Sequence, residues 1–206
     1  AFSVPHGYYT STQTVAISTQ LAGAMILYTT DGSTPTVNAA GTPINGAVYT
    51  TPLSISSTTN LRVAAFKAGY KPSNVIPQTY IFLDDVINQS PLGQVPPGFP
   101  PSGVNGQEMN YGIDPQIIAL YGAQAVKDSL SSLPAISITT DSGNLFDPAY
   151  GIYVNAGADG RDWERPTNVE LINSNGAEGM DVPDVDRAKR GLQLGLHQAD
   201  VFGFCA

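Results

Sequence analysis

The stretch "ILYTTDGSTPT", Ile26 to Thr36, has the pattern of a β-strand that ends at an Asp-Gly turn. Its β-branched and aromatic residues favour an extended strand. Asp31 can accept a hydrogen bond from the backbone two residues on, and Gly32 tolerates the left-handed conformation that follows. The stretch "ISITTDSGNLF", Ile136 to Phe146, repeats this outline. The chain therefore contains two strand-turn units, and we interpret Asp31 as part of the turn's architecture.

The composition favours many short strands and turns over long surface helices. Only 13% of the 206 residues are charged, while Thr, Ser, Asn, Gly and Pro are abundant. The length allows one large domain or two small ones, either with a core, and we expect two small domains. The composition therefore disfavours an all-helical protein.

The charge balance limits the classes of partner. Nine basic residues stand against seventeen acidic ones, which gives a net charge of -8. Such a chain has no electrostatic reason to approach phosphate backbones or anionic lipid, so we expect no nucleic acid partner. No apolar stretch approaches the roughly 20 residues of a spanning helix, so we expect no membrane insertion either.

Residues 1–82 consist of short strand-like runs separated by Gly, Pro, Asn and Asp clusters. In "NLRVAAF" the residues alternate, with Leu61, Val63 and Ala65 on one side of the strand and Arg62, Ala64 and Phe66 on the other. One of these faces should lie in a core, as in a two-layer sandwich. The pattern predicts an antiparallel β-sandwich.

Two motifs of this region, "YTTDGSTPT" and "TTNLRVAAFKAGYKPS", resemble the chitobiase and β-hexosaminidase C-terminal type of accessory domain. The resemblance covers residues 1–82. It implies an immunoglobulin-like β-sandwich without catalytic residues of its own, placed beside other modules in secreted or cell-surface bacterial proteins.

Beyond residue 82 the amino-acid composition changes. Residues 83–107 form a Pro/Gly-rich connecting loop, which we expect to be ordered against the following domain. The sequence of residues 108–179 predicts a smaller β-rich domain with one α-helix near 115–131. Asp114 is the predicted N-cap of this helix and Pro115 its first residue. "LPAISITTD" and "RPTNVELINSNG" predict its strands.

A second resemblance covers residues 84–179. The motifs "NLFDP", "GIYVN" and "WERP" are similar to the segment that opens spore-coat-protein-H-like domains of bacterial surface proteins. That family continues into a kinase-like region, and its nucleotide-binding residues have no counterparts here.

The tail, residues 180–206, has an atypical charged composition. We interpret it as a non-native end, produced by a truncated or shifted reading frame. Deleting residues 181–206 should then leave the melting temperature nearly unchanged.

Loop carboxylates suggest calcium, because hard oxygen ligands clustered on loops suit this ion. The spacing is not that of an EF-hand, and ordinary surface turns with Arg-carboxylate pairs remain the alternative. The candidate ligands are Asp141, Asn144, Asp147, Asp159 and Asp162, with Asp84 and Asp85 as a second, weaker pair.

Catalytic groups are sparse. His6 and His197 lie near the termini, Cys205 is the single cysteine, and no G-x-S-x-G, H-E-x-x-H or P-loop motif occurs. If the chain is a hydrolase, Asp141, Asp147 and Glu164 are the catalytic candidates. Bound calcium would polarise an ester or lactone carbonyl while a carboxylate assists water.

Exposed aromatic rings would offer stacking faces for sugars. Trp163 is the strongest candidate, between Arg161 and Arg165 in "GRDWERP", although a cation-π contact explains it equally well. The other candidates are Tyr8, Tyr9, Tyr28, Tyr49 and Tyr70, for which core or rim packing is the alternative.

The preferred hypothesis is a non-catalytic accessory, binding or spacer module of a secreted or surface-displayed bacterial protein. The first alternative is a calcium-dependent hydrolase of small esters or lactones. The second is a carbohydrate-binding module, whose partner would be a carbohydrate or another small-molecule ligand.

Overall fold

The computed structural model describes residues 1–89, 95, 99–101, 103–174 and 181–182, and its fold is mainly β. The strands are β1 (Gly7–Tyr9), β2 (Gln13–Val15), β3 (Met25–Thr29), β4 (Thr36–Val37), β5 (Pro43–Asn45), β6 (Ala47–Val48), β7 (Leu53–Ile55), β8 (Thr59–Phe66), β9 (Ile76–Phe82), β10 (Ala135–Thr139), β11 (Asn168–Ile172) and β12 (Asp181–Val182). The helices are α1 (Leu83–Asn88), α2 (Pro115–Tyr121), α3 (Ala123–Ser131) and α4 (Ser142–Phe146), with a 3-10 turn at Arg161–Trp163. Within the described part of the chain, no helix has the length and apolar character needed to cross a membrane.

The first unit is the predicted sandwich. A five-stranded sheet of order β1-β9-β8-β3-β6 faces the two-stranded sheet β2-β7. Its ladders are antiparallel except that β1 pairs in parallel with β9. The buried side chains between the layers form the core: Val15, Ile17, Ile55, Leu61, Val63, Tyr80 and Phe82. The alternation in "NLRVAAF" thus placed Leu61 and Val63 correctly.

The two long strands, β8 and β9, are buried on both faces. Leu61, Val63, Tyr80 and Phe82 lie in the sandwich core, while Asn60, Arg62 and Thr79 lie on the opposite face at 4%, 6% and 0% exposure. β10 and β11 of the second unit cover that face and bond to it through side chains. The polar face of the sandwich is therefore an internal interface.

The β10–β11 pair has the reverse of ordinary amphipathicity. Its register places Ser137 opposite Glu170 and Thr139 opposite Asn168, and these polar side chains point into the interface. The alternate residues, Ile136 and Ile138, are 65% and 41% exposed. They lie opposite Leu171 and Val169, so the apolar face of this sheet points outward.

The helices differ from the prediction of one helix near residues 115–131. The Asp114 carboxylate caps α2 by accepting a hydrogen bond from the Gln116 amide at 2.8 Å, as predicted. Gly122 then breaks the segment into α2 and α3 with a φ of 83°. α4 is an additional helix, and α1 occupies the start of the predicted connecting loop.

Aromatic rings join the described part of the Pro/Gly-rich segment to the second unit. The Phe99 ring lies 5.8 Å from Tyr111 and 5.1 Å from Phe146, centroid to centroid. The Asn105 side-chain amide donates to the Tyr153 and Val154 carbonyls.

Most of the predicted tail, 180–206, lies outside the described residues, together with His197 and Cys205. The exception is β12, which pairs with β11 through Val169↔Val182. The second unit therefore extends at least two residues into the segment that composition set apart.

Candidate functional site

The candidate site is the interface between the two units, where the two "TTD" turns meet. In the first turn Asp31 Oδ1 accepts hydrogen bonds from the Ser33 amide at 3.0 Å and the Ser33 hydroxyl at 2.6 Å. Gly32 follows with a φ of 76°, which confirms the predicted turn geometry. Partial burial acts to raise the pKa of Asp31, but the hydrogen bonds from Ser33 outweigh it and hold the pKa below its ordinary value.

In the second turn the carboxylate is used differently. Asp141 Oδ1 accepts a hydrogen bond from the Thr34 amide at 2.7 Å, and the Thr34 hydroxyl lies 2.9 Å and 2.8 Å from its two oxygens. Arg62 approaches the same carboxylate, Nη1 to Oδ1, at 3.3 Å. Asp141 thus bonds to the turn that Asp31 begins, 107 residues earlier in the chain.

Arg62 bridges three segments from the middle of β8. Its Nη1 also donates to the Gly32 carbonyl at 2.8 Å, and its Nη2 donates to Asn168 Oδ1 on β11 at 3.2 Å. With 6% of its surface exposed, this guanidinium relies on protein acceptors more than on water. It connects the first turn, the second turn and the second sheet.

Glu170 is the most deeply buried charged group of the interface, at 0% exposure. Its Oε1 accepts from the Thr79 amide at 3.0 Å and its Oε2 from the Thr79 hydroxyl at 2.5 Å. His6 Nδ1 lies 3.2 Å from Oε1. Burial, followed by the proximity of Tyr9 and Glu170, raises the pKa of the neighbouring Tyr80 hydroxyl.

A chain of side chains continues from Glu170 across the interface. The Thr79 hydroxyl donates its single hydrogen to Glu170 Oε2, so it must accept from its other neighbours. Those neighbours are the Ser137 hydroxyl at 2.7 Å and the Asn60 amide at 2.9 Å. The Asn60 amide also donates to the Thr139 hydroxyl at 2.5 Å. The cluster is a continuous hydrogen-bonded network between two sheets.

Sequence reasoning missed most of this network. It named Asp141 as a calcium ligand and did not single out Asn60, Thr79 or Glu170. The available signal was a charged residue within an otherwise strand-like run, Arg62 in "NLRVAAF" and Glu170 in "NVELI". A charge at such a position needs either solvent or a buried partner.

The other predicted ligands of the loop occupy separate positions. Asp147 Oδ1 accepts from the Ala149 amide at 2.8 Å, which closes its own turn. Asn144 donates from its amide to the Thr140 hydroxyl. Asp159, Asp162 and Glu164 are exposed.

The two carboxylates of the weaker predicted pair, Asp84 and Asp85, also bond to different partners. Asp84 pairs with Lys127 at 2.7 Å, and Asp85 accepts from the Thr58 amide at 2.6 Å. Among the residues that the structure describes, no three His, Cys, Asp or Glu side chains converge as a metal site. Calcium binding stays a prediction.

Trp163 belongs to a small stack at the surface. The Arg165 guanidinium lies 5.5 Å from the Trp163 ring centroid and 5.7 Å from that of Tyr150, which is 47% exposed. Arg165 also donates to the carbonyls of Tyr150, Asp162 and Glu164. The neighbouring Arg161 is exposed.

The tyrosines that were predicted as stacking faces for sugars lie partly against the core and partly at the surface. Tyr9, Tyr28 and Tyr49 pack against the sandwich core. The Tyr8 hydroxyl donates to the Leu133 carbonyl, and Tyr70, 58% exposed, lies under Lys67. These rings do not form one surface.

Comparison with known proteins gives a match in the first unit. Residues 4–77 match the family model of the chitobiase/beta-hexosaminidase C-terminal domain, over more than a third of the chain. Nothing in the comparisons supports the spore-coat-protein-H-like resemblance of residues 84–179. No curated protein and no solved structure matches the chain.

Proposed function

We propose that this chain is a non-catalytic accessory module that holds its two units at a fixed relative orientation, within a secreted or surface-displayed bacterial protein. The observation that carries the proposal is the polar interface centred on Glu170, which is 0% exposed and bonded to Thr79 on the other unit. The family match of residues 4–77 supports an accessory role for the first unit.

A buried polar network suits a spacer of defined geometry. Each of its hydrogen bonds requires a particular partner at a particular distance, whereas apolar side chains tolerate sliding and rotation. Sliding or rotating one unit against the other would leave Glu170 and Arg62 buried without the partners that offset their desolvation. The network therefore favours one docked orientation.

The hydrolase alternative has less support. It would need Asp141 and Asp147 to converge on one ion or substrate, but each carboxylate accepts hydrogen bonds from a different backbone amide. Acid release from simple esters and lactones, with calcium and then with chelator, tests it directly. Turnover that the chelator abolishes and that falls in both Asp141→Ala and Asp147→Ala would favour the enzyme over the spacer.

The orientation can be measured between spin labels placed on the two units. The labels would be attached at Ser54→Cys on β7 and Gln116→Cys on α2, both exposed positions, in a Cys205→Ser background. We expect a single narrow distance distribution for the parent chain and a broader one for Glu170→Ala. Glu164→Ala, which removes an exposed carboxylate, is the matched control and should stay narrow. A broad distribution in the parent chain would contradict a fixed orientation.

Carbohydrate binding at the Trp163 stack is the second candidate. It is favoured by the exposed Tyr150 ring beside Trp163, with Arg165 held between the two aromatic groups. Because Trp163 is the single tryptophan, its fluorescence reports on this site alone. Titration with neutral oligosaccharides should change that fluorescence, and Tyr150→Ala should weaken the response while Tyr70→Ala leaves it intact. An unchanged spectrum across the panel would remove this candidate.

A further inference from the structure

The loop that joins β8 to β9 carries the exposed basic side chains of the first unit. Residues 1–82 contain one acidic residue, Asp31, and three basic residues, Arg62, Lys67 and Lys71. Arg62 is buried in the interface between the units, whereas Lys67 and Lys71 lie in the loop. Among the residues that the structure describes, no carboxylate pairs with either lysine. The loop is therefore a positive patch on a chain whose net charge is -8.

The carboxylates that contact β8 lie at the other end of this strand. Asp31 bridges to Asn60, and Asp141 approaches Arg62. These two β8 residues precede Lys67 by seven and five positions, which correspond to about 24 Å and 17 Å along an extended strand. Both distances exceed the screening length of about 8 Å at physiological ionic strength. Neither carboxylate therefore neutralises the patch.

Hydrogen bonds within the first unit hold the loop in one conformation. The Tyr70 amide donates to the Lys67 carbonyl at 3.1 Å, across a turn in which Gly69 has a φ of 78°. The Ser73 amide donates to the Ala65 carbonyl at 3.0 Å, which ties the returning limb of the loop to β8. A ligand of this loop would therefore meet a fixed backbone, which lowers the entropy lost on binding.

Lys67 and Tyr70 form a preorganised pair in this loop. Lys67 Nζ donates to the Ala22 carbonyl at 2.8 Å and lies 5.1 Å from the centroid of the Tyr70 ring. The tyrosine is 58% exposed, and the adjacent Lys71 is exposed as well. The loop thus offers two ammonium groups and a flat apolar ring face to the same ligand.

We propose that Lys67, Tyr70 and Lys71 bind a carboxylate-bearing saccharide. A sugar ring stacks on Tyr70, and carboxylates of the saccharide pair with the two ammonium groups. Nucleic acid suits the loop less well, because its binding rests on the order of six to ten phosphate contacts and the loop has two cations. The proposal is independent of the fixed orientation of the units and of neutral sugars at the Trp163 stack.

Calorimetric titration of the full chain with an oligogalacturonate tests the proposal. A neutral galactose oligomer of the same length is the matched ligand. We expect binding of the acidic oligomer alone, with an affinity that falls several-fold between roughly 50 mM and 200 mM salt, since the attraction is electrostatic.

Variants locate the binding to the loop. Lys71→Gln removes an exposed charge and Tyr70→Ala removes the stacking face, so each should weaken the affinity several-fold. The double change Lys67→Gln and Lys71→Gln should abolish binding. Lys127→Gln and Tyr150→Ala, in the second unit, are the matched controls and should bind like the parent chain. Melting temperatures would verify that each variant is folded.

Three results would overturn the proposal. The first is no heat from the oligogalacturonate at millimolar concentration. The second is equal affinity in the parent chain and the double lysine variant. The third is equally tight binding of polyglutamate that the double variant also loses, which would assign the loop to acidic peptides instead.

Discussion

The two "TTD" turns have the same sequence outline and use their carboxylates in opposite ways. Asp31 bonds to Ser33, two residues away, and closes its own turn. Asp141 bonds to Thr34 and Arg62 on the other unit and joins the two turns together. A short motif fixes the local backbone conformation. Which partners its side chain bonds to depends on which segments the rest of the fold places beside it.

The largest expected effect on stability is that of a substitution at the centre of the interface. Glu170→Ala removes a fully buried acceptor and leaves the Thr79 amide and hydroxyl without it. We expect a loss of roughly 3 kcal/mol in the free energy of unfolding, measured by urea denaturation. The exposed Glu164→Ala should lose under about 0.5 kcal/mol. Equal losses for the two variants would mean that the interface adds nothing to stability.

Asp141→Ala should have the next largest effect. It removes the acceptor for the Thr34 amide and a partner of Arg62, at a carboxylate that is 48% exposed, so we expect a loss of about 1–2 kcal/mol. Asp141→Asn keeps an oxygen for the Thr34 amide and should recover part of this loss. Asp147→Ala, in the same loop, should weaken only its own turn. A larger loss for Asp147→Ala than for Asp141→Ala would reverse our assignment.

Asp31→Ala should be milder because its hydrogen bonds are local to one turn. We expect a loss of about 0.5 kcal/mol, measured by the same denaturation. If the loss equals that of Asp141→Ala, the distinction between a local and a bridging carboxylate fails.

The effect of Asp31 should depend on pH. Its pKa is lowered in the folded state, so its contribution is present above the pKa of the unfolded chain, about 3.9, and is lost as the pH falls through the folded value. The stability gap between the parent chain and Asp31→Asn should therefore be larger at pH 7 than at pH 2. A gap that grows on acidification would have the wrong sign for this interpretation.

Removal of divalent ions should have the smallest effect. The oxygens of Asp141 and Asp147 already accept protein hydrogen bonds, so we expect equal melting temperatures in chelator and in added calcium. Calcium that raises the melting temperature in the parent chain, and fails to do so in Asp147→Ala, would support the predicted calcium site.

Local signals predicted local structure well. Leu61 and Val63 alternate along a strand and lie in the core, and the Asp114-Pro115 pair starts a helix where expected. The prediction relied only on the helical spacing of the apolar residues, so it continued the helix through Gly122. Its positive φ ends one helix and begins the next.

Non-local contacts were beyond such reasoning. Alternation would expose the face of β8 that carries Arg62 and bury the face of β10 that carries Ile136, and the structure does the opposite. The reason is a pairing of polar faces between segments about 80 to 110 residues apart, such as Arg62 with Asn168. The role of Asp141 was missed for the same reason, because its partner is far away in the sequence. Its spacing from other loop carboxylates suggested an ion ligand, whereas it bonds to Thr34 in the first unit.

The parallel pairing of β1 with β9 has a mechanical consequence. The two strands run in the same direction, so the start of β1 and the end of β9 lie at opposite ends of the ladder, with Gly7 beside Tyr80 and Tyr9 beside Phe82. Tension applied to these two ends pulls the neighbouring strands in opposite directions along their length. The hydrogen bonds between them are then sheared together instead of opening one at a time, so this pair of strands resists stretching along its length more strongly than a pair that unzips.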